Sequence, residues 1–150
     1  MAERATVVGK PDTGEYASIQ GQALTPMITA ETAGSHRISG GSVRMPPGGV
    51  SRTHVHAESD IIVAVVSGEA ATVVWQDGEP TVLPHSVEEM CYVPAGIPHC
   101  AVNLSLTEPV FALEFRTDPK FNEDVVLRPE LEEQARAVVG ELRAAPVPVD

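Results

Sequence analysis

No stretch of this 150-residue chain approaches the roughly 18 consecutive apolar residues that a membrane-spanning helix requires. Positive charge is also scarce: 10 lysines and arginines stand against 21 acidic residues, for a formal net charge of -11. Nucleic acid and anionic membranes are bound through basic patches, so both are disfavoured as partners. An acidic balance of this size reads instead as a solvated surface. The opening segment, MAERATVVGKPDTGEY, is charged early and lacks the apolar centre of a secretory signal, which sets a cytoplasmic location as the expectation. Cysteine is limited to Cys91 and Cys100, without the C-x-x-C spacing of a zinc site. Both are read as reduced, buried apolar residues, with a pocket thiol as the alternative.

The length suits one domain over residues 1–150, large enough to bury a substantial core. Residues 16–116 present a succession of short strand-like segments separated by turn residues, the pattern of a β-sandwich or barrel. HRISGGSVRMPPGG runs from a strand into a turn, and DIIVAVVSGEAATVVW divides into two strands at Ser67, Gly68 and Glu69. Asp77-Gly78 is a strong hairpin signal. MCYVPAGIPH is a strand broken by Pro94 and Gly96, and EPVFALEFRT supplies the last strand. Further on, Leu131, Ala135, Val138, Val139 and Leu142 recur at helical spacing behind Pro129 and three glutamates, which predicts one amphipathic helix over about 129–144. The prolines of the final APVPVD rule out its continuation, and a loose tail is expected there.

One segment, THVHAESD at residues 53–60, concentrates the chemistry. Alternate residues of a strand share a face, so His54 and His56 present two imidazoles in one direction. Two neutral imidazoles can ligate a divalent metal, provided that a third ligand arrives from elsewhere. His99 in VPAGIPHCAVN follows a Pro-x-Gly turn that re-aims the chain.

These two stretches resemble the paired motifs of the cupin superfamily, G-x5-H-x-H-x(3,4)-E-x6-G followed by G-x5-P-x-G-x2-H-x3-N. Gly48, His54, His56 and Gly68 match the first, and Pro94, Gly96, His99 and Asn103 the second. The likeness covers about residues 36–118, and RTDPKFNEDVVLRPEL is similar to the tail of small bacterial single-domain cupins. It implies an all-β double-stranded β-helix, or jelly-roll, barrel of six to eight strands with a C-terminal α-helix. It also implies one divalent metal held inside by His54, His56 and His99.

Two departures bear on the site. Asp60 lies at the acidic ligand position of the shorter first motif, but seven residues separate it from Gly68 instead of six, and counting back from Gly68 lands on Ile61. Asp60 is therefore the candidate fourth ligand, with Glu58 as substitute and water as the third possibility. Glu88 replaces the first glycine of the second motif, a change expected to alter loop shape without removing a ligand. Asn103 is expected to serve through a turn or a hydrogen bond behind the ligands.

Of the remaining histidines, His36 is read as an edge or surface residue, with a pocket role as the alternative, and His85 as a solvent-exposed loop residue. Trp75, Tyr92, Phe111, Phe115 and Met45 are assigned to the barrel core, some of them lining its cavity. Three imidazoles, with or without a carboxylate, suit Fe, Mn, Ni, Zn or Cu. Two reaction types follow: a dioxygenase with a redox metal, or Lewis-acid chemistry in an isomerase, cyclase or lyase. No residue is assigned as catalytic; Glu58 and Glu114 are the nearest candidates for a base. The expected partner is a small oxygenated or carbonyl-bearing metabolite, and the resemblance adds a homodimer. A barrel that only stores or senses a ligand is the competing class.

Overall fold

The computed structural model describes residues 4–9 and 12–144. The short apolar segments fold into strands β1 (Tyr16–Ala17), β2 (Ala23–Ile28), β3 (Ser39–Met45), β4 (His54–His56), β5 (Ile61–Ser67), β6 (Ala70–Gln76), β7 (Glu79–His85), β8 (Met90–Val93), β9 (His99–Asn103), β10 (Val110–Arg116) and β11 (Val125–Leu127). A short helix α1 (Ala30–Ala33) follows β2, and helix α2 (Glu132–Ala144) closes the described chain behind a 3-10 turn at Pro129–Leu131. The strands form two antiparallel sheets, one in the order β1-β2-β3-β10-β5-β8 and the other β11-β4-β9-β6-β7. The expected jelly-roll barrel with a C-terminal helix is the architecture observed.

Alternation decides which side chains meet between the sheets. In β10, Val110, Ala112, Glu114 and Arg116 are buried while Phe115 between them is 43% exposed. The interior cluster combines Leu24, Val43, Met45, Val65, Val110 and Ala112 of the first sheet with Ala70 of the second. Phe121, at 1% exposure, packs against it and against Gly41, where a Cβ would stand 2.4 Å from the Thr25 carbonyl oxygen. Glycine is the residue that this approach admits.

The hairpin signal was accurate. Asp77 and Gly78 form a two-residue turn with φ of 55° and 87°, joining β6 to β7 with Gln76 opposite Glu79. Positive φ at both central positions is the geometry that matches the strands' twist.

The second sheet is covered on both faces along β4, β6 and β9. Its outward residues Ala71, Val73, Trp75, Cys100 and Val102 pack against Ala135 and Val139 of α2. Burial of a side chain such as Val139 contributes roughly 1.5–3 kcal/mol. The Trp75 indole N–H donates to Gln134 Oε1 at 2.8 Å. Helix α2 therefore works as the missing outer layer of this sheet, and APVPVD beyond it lies outside the described residues.

Several aromatic assignments need correction. Met45 is buried inside, but Trp75 lies outside the barrel beneath α2, and Tyr92 is 58% exposed. Tyr92 pairs in register with Ile62 and Ile62 with Phe115, so all three fall on the outward face of the first sheet. Both cysteines are buried and unpaired, as expected. Among the described residues no helix is long and apolar enough to cross a membrane.

Candidate metal centre

His54 and His56 occupy the ends of the three-residue strand β4, and His99 opens β9 directly opposite His54. The turn before β9 depends on Gly96, whose φ is 79° and whose N–H donates to the His56 carbonyl at 2.8 Å. The imidazole centroids lie 4.4 Å apart for His54 and His99, 5.1 Å for His54 and His56, and 5.3 Å for His56 and His99. One nitrogen from each ring falls within 4.8 Å of the other two, and all three residues are buried.

Each ring is held through Nδ1 by a group that can only accept. His54 Nδ1 donates to the Arg52 carbonyl at 2.6 Å, His99 Nδ1 to the Ile97 carbonyl at 3.0 Å, and His56 Nδ1 to Asp124 Oδ1 at 3.1 Å. In a neutral ring held this way, Nδ1 carries the proton and Nε2 the free lone pair. Burial drives the His99 pKa down to about 4, against a partial offset from the Ile97 carbonyl. Burial and the neighbouring His99 ring likewise hold His54 well below the usual imidazole range. Both rings are thus neutral at physiological pH, the form that binds metals.

Asp124 was missed by sequence reasoning. It ends a 3-10 turn at Asn122–Asp124 just before β11. Its Oδ2 accepts from Ser59 Oγ at 2.7 Å, Ser59 N–H at 2.9 Å and Glu58 N–H at 3.1 Å. Burial alone would raise this carboxyl, but the bonds from His56, Ser59 and Glu58 outweigh it and keep the pKa far below the usual carboxylate range. A carboxylate behind a ligand imidazole orients the ring and raises its basicity.

The acid expected beside the histidines is elsewhere. Asp60 lies outside the three-histidine group: its carboxylate accepts from Ala95 N–H at 2.9 Å, and its own N–H donates to Thr117 Oγ1. Strand β5 begins one residue later, and alternation turns Ile61, Val63 and Val65 into the cavity. The position counted back from Gly68 is therefore an inward isoleucine. The Glu58 side chain is exposed, and its backbone N–H makes the contact to Asp124.

Among the described residues, Glu114 is the one acid lining the cavity that holds the histidines. It is 5% exposed and paired with Arg116, itself 2% exposed. Arg116 also donates to Asn122 Oδ1 at 2.7 Å and lies 4.4 Å from the centre of the Phe121 ring. The cavity is narrow, with a wall dominated by Val43, Val63, Val65, Ala101 and Ala112. No lysine or arginine contributes to this wall among the described residues.

His36 is exposed, as expected. His85 is not in a loop: it is the last residue of β7, only 7% exposed, and lines the cavity. Asn103 organises the loop after β9, donating to the Pro46 and Glu108 carbonyls and accepting from Ser105 N–H. Glu88 retains the positive φ, 73°, that a glycine would adopt, so its loop keeps the turn geometry.

Comparison with known proteins agrees with this geometry. The family model described as cupin domain matches residues 41–115, half of the chain. No curated protein matches. Among solved structures, an S161A mutant of Bacillus subtilis oxalate decarboxylase is 22% identical with a TM-score of 0.67, over 85% of this chain and 35% of that one. A Lactobacillus farciminis oxalate decarboxylase formate complex is 17% identical with a TM-score of 0.68, over 91% and 42%. An oxalate oxidase in complex with the substrate analogue glycolate is 21% identical with a TM-score of 0.66, over 91% and 78%. At these identities the likeness is one of fold, and the chain spans well under half the length of the decarboxylases. The matched segment contains both histidine motifs, and the chain belongs to the cupin family.

Proposed function

We propose that this chain is a metal-dependent cupin enzyme acting on a small, neutral, oxygen-bearing molecule. The observation that carries the reading is the commitment of all three Nδ1 atoms to acceptors, which leaves the Nε2 atoms of His54, His56 and His99 within reach of one ion. The donor set suits Fe, Mn, Ni, Zn or Cu. A bound divalent ion would polarise a substrate oxygen and, if redox-active, exchange electrons with O2.

The chain's own residues set what is bound. The apolar wall excludes water and strengthens every polar contact inside. Glu114, held by Arg116, offers the cavity an acceptor for a substrate hydroxyl or for a proton. A dicarboxylate would meet this acid and no lysine or arginine in the wall. That balance favours neutral alcohols, enols and carbonyl compounds. Asp60 has no place in the proposed ligand set; water or substrate oxygen would complete it.

The test is metal content by mass spectrometry on protein purified without affinity tag or chelator, beside a His54→Ala variant. About one ion per chain, absent from the variant, is expected. A folded parent that takes up no ion after each is added back would refute the reading. Water exchange on the Mn-loaded protein separates enzyme from storage protein, since an ion with no exchangeable water would favour the latter.

We also propose that the chain forms a homodimer through the outward face of the first sheet. Phe115, Ile62 and Tyr92 stand in one register row across β10, β5 and β8, with exposures of 43%, 39% and 58%. Light scattering should give twice the 15.9 kDa chain mass, and Tyr92→Asp should halve it.

A further inference from the structure

The cavity has a second polar end that the metal reading does not use. His85 Nε2 and Thr72 Oγ1 lie 2.9 Å apart, both residues are more than nine-tenths buried, and both line the cavity. His85 Nδ1 is buried with no hydrogen-bond partner. Either tautomer leaves a group unmet. If the Thr72 hydroxyl donates to Nε2, then Nδ1–H has no acceptor; if Nε2–H donates to Thr72, the Nδ1 lone pair has no donor. A buried polar group in that condition costs stability unless something satisfies it.

The strand register places this end away from the histidine cluster. Along β6, Val74 pairs with His99, whereas Ala70 pairs with His85. Four residues of strand separate the two levels, about 13 Å at roughly 3.3 Å per residue. Val74, Thr72 and Ala70 share the inward face, so the polar ends lie along one wall of the same cavity. Gln22 also lines the cavity, its side-chain amide 3.8 Å from Met45 Sδ, and Met45 packs in one cluster with Ala70. Between the ends the wall is aliphatic.

We propose that His85, supported by Thr72, is a specificity-determining contact for an elongated ligand. Chelating oxygens sit at the His54–His56–His99 end, an apolar middle spans the aliphatic wall, and a hydroxyl, carbonyl or amide group meets Nδ1 of His85. The chelating half rests on the metal reading above; the His85 contact does not.

The probes are linear alkyl hydroxamic acids of increasing length, each with and without a terminal hydroxyl, titrated into the Co(II)-loaded protein by calorimetry. At one length the terminal hydroxyl should improve Kd about 10-fold. His85→Phe should abolish that gain while leaving the plain alkyl series unchanged. His85→Asn, whose amide nitrogen falls near the Nδ1 position, should restore part of it. Absence of a gain at every length, or an equal gain in His85→Phe, would overturn the proposal. If the protein takes up no metal, the metal reading fails and the His85 contact is decided separately, by titrating phenol into metal-free protein labelled with 15N-histidine. A saturable shift of the His85 ring nitrogens supports the contact, and unmoved signals overturn it.

Discussion

His56 and Asp124, 68 positions apart in the chain, meet through one hydrogen bond of 3.1 Å that fixes the proton of the imidazole on Nδ1. The same carboxylate collects two backbone N–H groups and the Ser59 hydroxyl from the turn after β4. It thereby positions both the ring and the loop behind it. Asp124→Asn should weaken metal affinity roughly 10- to 100-fold while leaving one site per chain. Competition against a chromophoric chelator measures this, and parent-like affinity would show that the bond is idle.

Acid should destabilise the metal-free protein through its buried imidazoles. The folded-state pKa of His99 is lowered from 6.5 to about 4, and His54 is lowered as well. Between these values the unfolded chain binds more protons than the folded one, so stability is fully present above about 6.5 and is lost as pH falls towards 4. At pH 5 the loss from His99 alone is about 2 kcal/mol. Urea midpoints of metal-free protein at pH 7.5 and 5 should show it; identical midpoints would contradict neutral, buried rings.

The two thiols should be inert in the folded state. Cys100 lies beneath α2 with no exposed surface, and burial pushes its thiol up to about 12. Burial raises Cys91 as well. A chromogenic aromatic disulfide should release its chromophore only after denaturation, then with two thiols per chain. Rapid reaction of either thiol in native protein would reverse the assignment.

Glu88 carries a side chain at φ 73°, a backbone conformation that glycine adopts without cost. Glu88→Gly should therefore raise stability by about 1 kcal/mol, read as an upward shift in Tm with unchanged metal content. A lower Tm would mean that the glutamate side chain earns its strained position through contacts in the loop.

The three clustered histidines were legible because both clues are local: H-x-H places two rings on one face, and P-x-G-x-x-H re-aims the third. The misfit in the first motif was also legible, since counting from Gly68 reached Ile61, the residue that does face inward. Asp124 was not legible. Its role depends on a turn that returns to β4 from far along the chain, and nothing near it in sequence announces a partner. His85 was hidden differently. LPHSVEE reads as a polar loop, yet β7 runs through Pro84 to His85 at the edge of its sheet, where a missing N–H donor is tolerated. Pairing outward from the Asp77-Gly78 turn places His85 opposite Ala70 and inside the barrel. Tyr92 and Phe115 were misplaced because aromatic character was weighed without strand parity.

Trp75 is the chain's single tryptophan, and it sits under α2 with its indole bonded to Gln134. One residue before His54, the Thr53 N–H donates to Glu132, the first residue of that helix. The protein thus contains a native chromophore that watches the seam between helix and sheet from the side opposite the cavity. Its emission is a gauge of whether the helix is seated behind the histidine strand, and ligand occupancy within the barrel is read by a separate signal.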